Sequence, residues 1–541
     1  MRSRPAVHTE TLLALAAIFV LVAGNGPFWH AALASRPWAE PATWLFAGAI
    51  FVSLVSLHFA LAAIFSTRHT VKPLLTLLLV ATAAASYFME RYAVYLDRTM
   101  MANVTATNYK EARELLGWGM AGHVLLYGLL PSALVWWPAI KTRPWRRAAA
   151  VRFACVVGAL VISVGSLLVV FADFASLMRN HREMRWLITP ANALVAMVQN
   201  ALDQSLPAGQ PKAVVAADAK VVAPARERPM LFVLVVGETA RAQNFSLNGY
   251  ARQTNPELAK RGVIDFPDAK SCGTSTEVSL PCMFSAFGRA HYDERKIATH
   301  ESVLNVLARA GVGVLWRDNQ SGCKGVCDGL PVQQLDHENV PGICNDGQCF
   351  DEILLQGMDR VLQDHRGNML VVMHQLGSHG PSYYKRYPPA FRKFLPACES
   401  DDLRQCDAKA IVNAYDNTIL YTDFFLGKVI DFLAEAQKSH DTALLYMSDH
   451  GESLGEGGLY LHGIPYAIAP QAQTHVPFVL WMSPAFRSDV GVDEACMRTR
   501  AAQPVSHDDL FHTLLGVFDV RTSVYDPKLD IFAGCRTKQS S

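Results

Sequence analysis

Three short motifs hold most of the side chains capable of chemistry: "GETAR" carries Glu238, "HQLGSHG" carries His374 and His379, and "SDHGESLGE" carries Asp449 and His450. Carboxylate and imidazole ligands suit zinc, and an adjacent Asp-His pair can supply two ligands from one turn. A fourth stretch, "SCGTSTEVSLPC" from Ser271 to Cys282, sets a hydroxyl-rich turn between two cysteines. One reading of it is structural: Ser275 or Thr276 caps a helix start, and a disulfide ties down a surface loop. The other is chemical: one hydroxyl is a nucleophile held at a helix N-terminus, where backbone donors and the dipole favour an anionic phosphate. A threonine hydroxyl is a poor nucleophile at its ordinary pKa, and direct coordination to zinc would favour the alkoxide. In-line attack on phosphorus tolerates little displacement, so such a hydroxyl needs a rigid loop, and the two cysteines answer that need.

The elements that must position these groups are also visible. Each metal-ligand motif follows a short continuous apolar run: Met230 to Val236, Met369 to Met373, and Ala443 to Met447. Such runs, rich in β-branched residues, are expected of strands buried on both faces of a parallel sheet. Periodic helical stretches separate them, notably Ile411 to Ala436, which predicts an α/β fold with a mostly parallel sheet. Ligands of such sheets bind beyond the carboxyl ends of the strands, so three distant positions converge on one site. Singly, Glu238 could be a helix-capping carboxylate, Asp449 an Asx-turn residue, and each histidine a satisfied core or surface group. Jointly, their placement at three strand ends favours a site.

The chain as a whole has 541 residues, 51% of them hydrophobic, and a formal net charge of +1, which describes neither an ordinary soluble enzyme nor a nucleic-acid binder. The averages conceal two halves. Five apolar segments, Leu12 to Leu33, Thr43 to Phe65, Leu74 to Tyr95, Trp118 to Ile140 and Val151 to Phe171, are each near the roughly 20 residues that cross a bilayer. Arg2 and Arg4, Arg68 and Lys72, and Lys141, Arg143, Arg146 and Arg147 mark three cytoplasmic segments by the positive-inside rule. Everything after Phe171 then lies on the far side of the membrane. "ALA" at Ala32 to Ala34 resembles a signal-peptidase site, but cleavage there would leave four spans and the same outer placement.

Cysteine usage agrees. Of 11 cysteines, Cys155 lies in a span and the other ten fall between Cys272 and Cys535. Short separations suggest local disulfides, Cys272 with Cys282, Cys323 with Cys327, Cys344 with Cys349 and Cys398 with Cys406, leaving Cys496 and Cys535 as a fifth pair. The competing reading is a zinc ribbon from Cys323, Cys327, Cys344 and Cys349. Residues 175 to about 200 suit short helices at the membrane surface, and 206 to 229 read as a linker.

In this order, "GETAR", "SCGTSTEVSLPCMFS", "GCKGVC", "HQLGSHGPSYY", "SDHGESLGE" and "YLHG" resemble the phosphoethanolamine transferase family that modifies lipid A, relatives of the transferable colistin-resistance enzymes. The resemblance covers nearly the whole chain. It implies a five-helix transmembrane domain (1–174), membrane-surface helices and linker (175–229), and an α/β alkaline-phosphatase/sulfatase-like catalytic domain (230–541). It also implies a bacterial inner-membrane protein with a cytoplasmic N-terminus and a periplasmic catalytic domain. The implied reaction transfers phosphoethanolamine from phosphatidylethanolamine to a phosphate of lipid A through a covalent threonine intermediate. The product carries less negative charge, which would give resistance to polymyxin and cationic peptides.

Carried over motif by motif, Thr276 matches the nucleophile, and Glu238, Asp449 and His450 hold a zinc ion with it. His379 and His462 match histidines that contact the transferred group or a second metal, so one or two zinc ions are implied. Lys324 matches a lysine near the phosphate, and His374 a histidine on the substrate side. In "NVTATNYKE", Asn103, Thr107 and Glu111 fall at four-residue steps and share one face if helical. Unaided, that is a solvated helix face; the resemblance implies that it binds the ethanolamine end of the substrate. The implied partners are phosphatidylethanolamine, lipid A and inner-membrane lipid, with no nucleic acid, for a protein acting as a monomer. Rival readings are transfer to a core sugar or periplasmic glucan, a same-fold phosphodiesterase or sulfatase, and a sensor that has lost catalysis.

Overall fold

A computed structural model describes residues 4–34, 36–107, 112, 115–204, 211–222, 228–345 and 347–536. The chain divides into two compact units, Met1–Val104 with Leu116–Leu206, and Thr105–Leu115 with Pro207–Ser541.

The first unit is helical: α1 (Thr9–Ala23), α2 (Gly26–Leu33), α3 (Pro41–Phe65), α4 (Val71–Tyr92), α5 (Arg98–Ala106), α6 (Trp118–Trp136) and α7 (Trp145–Val169). Helices α3, α4, α6 and α7 are long and apolar enough to cross a membrane. The first predicted span differs from expectation, because α1 and α2 are bent by 61° and make a fifth span only as a broken pair. The break has a physical cause. Asn25 is fully buried there, its amide donating to the Val20 and Thr189 carbonyls at 2.9 and 3.1 Å and its Oδ1 accepting from Thr189 N–H at 2.8 Å. Gly24 beside it admits Thr82, whose Cγ2 would lie 2.3 Å from any added Cβ. Helices α3 and α7 pack side by side, with Ser53 Oγ 3.1 Å from Ser163 Oγ. Outward, α7 exposes Phe153, Val161 and Leu168, a surface that suits lipid rather than water. Short helices follow the last span, at Phe171–Asn180, Arg182–Leu187 and Ala191–Gln204.

The second unit is built on a seven-stranded sheet. Its strands are β1 (Met230–Gly237), β2 (Ile264–Asp265), β3 (Gly313–Asp318), β4 (Val332–Gln334), β5 (Met369–His374), β6 (Asp441–Ser448) and β7 (Phe478–Met482), in the spatial order β2-β7-β6-β1-β5-β3-β4. From β6 through β4 all neighbours are parallel, while β7 is antiparallel to β6 and β2 to β7. The three apolar runs read from the sequence are the three adjacent central strands. Along β1, side chains alternate between two cores. Phe232, Leu234 and Val236 join Leu304 and Leu307 of α9 (Val303–Arg309) and Leu510 and Leu514 of α11 (Asp508–Val517). Leu231, Val233 and Val235 meet Ile411, Ala414 and Val429 of α10 (Ala408–Ala436). A helix α8 (Thr276–Met283) completes the elements that matter for the site.

Part of the segment expected as a linker is instead laid on the second unit. Ala213 bridges His300, Lys220–Val221 pairs with Val520–Arg521, and Val215 and Ala216 are buried in the core with α9. Single bridges and two-residue pairings leave no hydrophobic period, so the sequence gives no sign of them. All five expected disulfides are present, Cys272–Cys282, Cys323–Cys327, Cys344–Cys349, Cys398–Cys406 and Cys496–Cys535, and the zinc-ribbon alternative is thereby removed.

Candidate metal and nucleophile site

Strand register brings the chemistry together. Ser448 pairs with Gly237 and His374 with Val236, so β6, β1 and β5 end level, and the next residues of β1 and β6 are Glu238 and Asp449. Both are fully buried, as is His450. One ligand atom from each of Glu238, Asp449 and His450 lies within 4.8 Å of the others. His450 Nε2 is 3.4 Å from Glu238 Oε1 and 3.3 Å from Asp449 Oδ2.

The hydrogen bonding of this cluster suits a cation. His450 Nδ1 donates to the Gly451 carbonyl at 2.9 Å, and burial, followed by the proximity of His462, holds the imidazole well below its usual pKa. The ring is therefore neutral and turns a lone pair, not a proton, toward two carboxylate oxygens. Asp449 Oδ1 accepts the backbone N–H groups of Thr239 at 3.1 Å and His450 at 2.7 Å, leaving Oδ2 buried without a hydrogen-bond partner. Burial raises the Asp449 pKa, and the two backbone donors offset part of that. An acceptor-only cluster of this kind is costly to bury unless a positive charge occupies its centre. The donor set, two carboxylates and an imidazole with an adjoining hydroxyl, fits zinc.

Thr276 supplies that hydroxyl. Its Oγ1 lies 3.1 Å from Glu238 Oε2 and 3.4 Å from His450 Nε2. Thr276 is the first residue of α8, and Ser275 is its N-cap, yet Ser275 makes no side-chain capping bond. The capping interpretation of this loop therefore does not hold. Thr274, the other candidate threonine, donates instead to the Ile464 carbonyl at 2.7 Å and is a tether.

The turn after β1 is strained in support of the ligands. Thr239 has φ of 60°, a region that β-branched residues seldom enter. There its Oγ1 donates to Glu238 Oε1 at 2.5 Å, and Tyr415 Oη holds the turn by donating to Thr239 O and accepting from Arg241 N–H. Gln320 Nε2 donates to Glu238 Oε2 at 3.0 Å.

A second group of side chains borders the first. The ring centroids of His462 and His450 are 4.3 Å apart, and those of His462 and His379 are 5.7 Å apart. His462 Nδ1 is 3.3 Å from Glu452 Oε2, and Glu452 is fully buried. Burial, with His462 and Arg386 nearby, holds His379 well below its usual pKa. Lys324, in the loop closed by Cys323–Cys327, lies 3.5 Å from Glu277, the residue after Thr276. His374 is buried at the end of β5, with Nδ1 3.0 Å from Asp318 Oδ2 and Nε2 without a hydrogen-bond partner. Burial alone would raise Asp318, but the His374 charge and several hydrogen bonds outweigh it and hold this carboxyl below the usual range.

Of the predicted substrate residues in the first half, Asn103 lies on α5 and Thr107 one residue beyond its end, while Glu111 lies outside the described residues. Sequence reasoning missed Thr239, Gln320, Tyr415 and Glu452. Thr239, in "GETAR", and Glu452, two residues beyond the Asp-His pair, stood in motifs already singled out.

Residues 231–520 match the sulfatase family model, and residues 54–205 match the model described as phosphoethanolamine transferase EptA/EptB. The chain is 40% identical to phosphoethanolamine transferase EptA of Escherichia coli (strain K12), over 98% of each chain. It is 36% identical to phosphatidylethanolamine transferase Mcr-1 of Escherichia coli, over 96% of each. The integral membrane lipooligosaccharide phosphoethanolamine transferase A of Neisseria meningitidis superposes with a TM-score of 0.94 at 37% identity, covering 98% of this chain and 99% of that one.

Proposed function

Because this chain belongs to the phosphoethanolamine transferase EptA/EptB family, we propose that it moves phosphoethanolamine from phosphatidylethanolamine to a phosphate of lipid A, with Thr276 as the covalent carrier. The observation that carries this reading is the position of the Thr276 hydroxyl, 3.1 Å from Glu238 and 3.4 Å from His450, at the mouth of a three-ligand cluster.

Zinc would be held by Glu238, Asp449, His450 and Thr276, and when bound it favours the Thr276 alkoxide and offsets charge on phosphoryl oxygens. In the first step Thr276 Oγ1 attacks the donor phosphorus. A bond to Oγ1 forms as the bond to the glycerol oxygen breaks; that oxygen takes a proton and leaves as diacylglycerol. Thr276 then carries ethanolamine phosphate as a phosphodiester. In the second step an oxygen of the lipid A phosphate attacks the same phosphorus, and the Thr276 oxygen is released.

His462 is the better proton donor of the two flanking histidines. Its Nδ1 lies 3.3 Å from Glu452 Oε2, and a carboxylate so placed orients the ring for proton transfer. His379 is held neutral by burial and is suited to orienting or accepting rather than donating. Lys324, tied beside Glu277, offsets phosphate charge. Asn103, Thr107 and Glu111 take the ethanolamine end, the Glu111 carboxylate pairing with the ammonium. His374 supports the substrate side from the end of β5.

A lipid donor and a lipid acceptor require the active site at a membrane surface, and the Lys/Arg bias of the loops supports a catalytic domain on the periplasmic side of the inner membrane. Adding an ammonium-bearing group to a lipid A phosphate lowers its net negative charge, weakens attraction of cationic peptides, and so confers polymyxin resistance. Mass spectrometry of lipid A from cells with and without the protein tests the reading. Phosphoethanolamine on lipid A is expected; unmodified lipid A with a modified core sugar or glucan would reassign the acceptor.

A further inference from the structure

Two buried side chains outside the ligand set join the nucleophile loop to the strand end that bears the metal ligands. His507 accepts from Cys272 N–H on Nδ1 at 3.1 Å and donates from Nε2 to the Ser448 carbonyl at 2.9 Å. Ser279, on α8, accepts from Gly273 N–H at 3.0 Å and donates to the Asp449 carbonyl at 2.5 Å. Consecutive N–H groups of the loop are thus tied to consecutive carbonyls of the strand end. His507 is 1% exposed and Ser279 fully buried. His507 is in turn anchored by its own N–H to the Lys270 carbonyl at 3.0 Å, where Val505–Ser506 pairs with Ala269–Lys270.

We propose that His507 and Ser279 are positioning residues that set the distance from the Thr276 hydroxyl to the Glu238, Asp449 and His450 cluster. This rests on Thr276 being the nucleophile. The loop and β6 share no ladder of their own: Ser271 N–H and the Thr274 hydroxyl tie the loop to the Thr474 and Ile464 carbonyls, while the two bridges join it directly to the strand end that bears Asp449 and His450. Each side chain satisfies a loop donor and a strand-end acceptor, and loss of either leaves a buried polar pair open. Tautomer supports the assignment for His507: burial lowers its pKa to about 4, so the ring stays neutral with one donor and one acceptor, as both contacts require.

The test uses the full-length protein with phosphatidylethanolamine and lipid A, comparing Ser279→Ala, His507→Ala, His507→Gln and Thr276→Ala. Displacing the hydroxyl by a fraction of an ångström should lower kcat by about 10-fold in Ser279→Ala and in His507→Ala, because attack geometry is sensitive at this scale. The KM for donor and the zinc affinity, measured by chelator competition, should stay within about 2-fold of wild type, since the three other ligands are untouched. His507→Gln, whose amide can still donate to Ser448, should recover part of the loss. The combined Ser279→Ala/His507→Ala variant should lose less than the product of the single effects, as expected of two links in one joint. Lower melting temperatures with unchanged kcat, or zinc affinity falling in step with kcat, would overturn the assignment. Should His507→Ala fail to fold, Ser279→Ala decides alone. Activity in Thr276→Ala would remove the nucleophile reading itself, and is distinguishable because it does not depend on either bridge.

Discussion

Thr276 Oγ1 lies 3.1 Å from Glu238 Oε2, although 38 residues separate them in the chain. One stands at the start of a helix, the other just past the end of a central strand. A parallel sheet lines up the exits of its strands, and a loop pinned by Cys272–Cys282 brings the hydroxyl to that edge.

Thr276→Ala should abolish lipid A modification while leaving the fold and most of the zinc affinity, because Glu238, Asp449 and His450 remain. Thr274→Ala removes only a tether to the Ile464 carbonyl and should cost far less. Lipid A mass spectrometry with zinc analysis of the purified variants checks both; substantial modification by the Thr276 variant would reverse the assignment.

Chelation should remove activity, and added zinc should restore it. Asp449 Oδ2 is buried without a hydrogen-bond partner, and binding of zinc to the folded chain should stabilise it by about 2.7 kcal/mol at 100 times the Kd. Thermal unfolding with and without zinc reads this, and equal curves after verified metal removal would count against a metal in the cluster.

His507 gives the stability a pH dependence of definite sign. Burial lowers its pKa from 6.5 to about 4, so between those values the unfolded chain binds a proton that the folded chain refuses. Its contribution is intact above pH 6.5 and is lost as pH falls toward 4, by about 3 kcal/mol in total. The drop in melting temperature from pH 7 to pH 4.5 should be smaller in His507→Gln than in wild type; an equal drop would show that His507 carries no such linkage.

Opening the disulfide by Cys272→Ser should lower specific activity more than yield, since the loop loses position before the core loses packing. Activity per folded molecule, compared with wild type, measures this. Free thiols found at Cys272 and Cys282 in the native protein would void the expectation.

Glu111→Ala should retain zinc and folding yet lose transfer from phosphatidylethanolamine, since a carboxylate is the natural partner of the ethanolamine ammonium. Zinc content and a lipid-donor assay check it. Full transfer by the variant would reduce the first half to an anchor.

Much of this arrangement was legible because it rests on strong periodic signals. Met230 to Val236, Met369 to Met373 and Ala443 to Met447 announced the three central strands by their uninterrupted apolar character, and the groups following them fell at one edge. Strand β3 escaped, since Gly313 breaks the apolar run and Arg317 and Asp318 end it, although both charged side chains are buried. The supporting residues escaped for another reason. Gln320, Tyr415, Ser279 and His507 carry no local pattern; each matters through a partner 38 or more residues away or through a short buried bond within its loop. The bend between α1 and α2 was overlooked although Gly24-Asn25-Gly26-Pro27 is a helix-breaking run; what the sequence hides is the tertiary bond from Asn25 to Thr189 that fixes it.

The central claim is that Thr276 carries the transferred group. Incubating the full-length protein with phosphatidylethanolamine in the absence of acceptor, followed by peptide mass spectrometry, tests it most directly. A phosphoethanolamine adduct on Thr276, absent from Thr276→Ala and discharged on adding lipid A, is the predicted result. An adduct on Thr274 or another residue, or turnover with no adduct under conditions that arrest the second step, would contradict it.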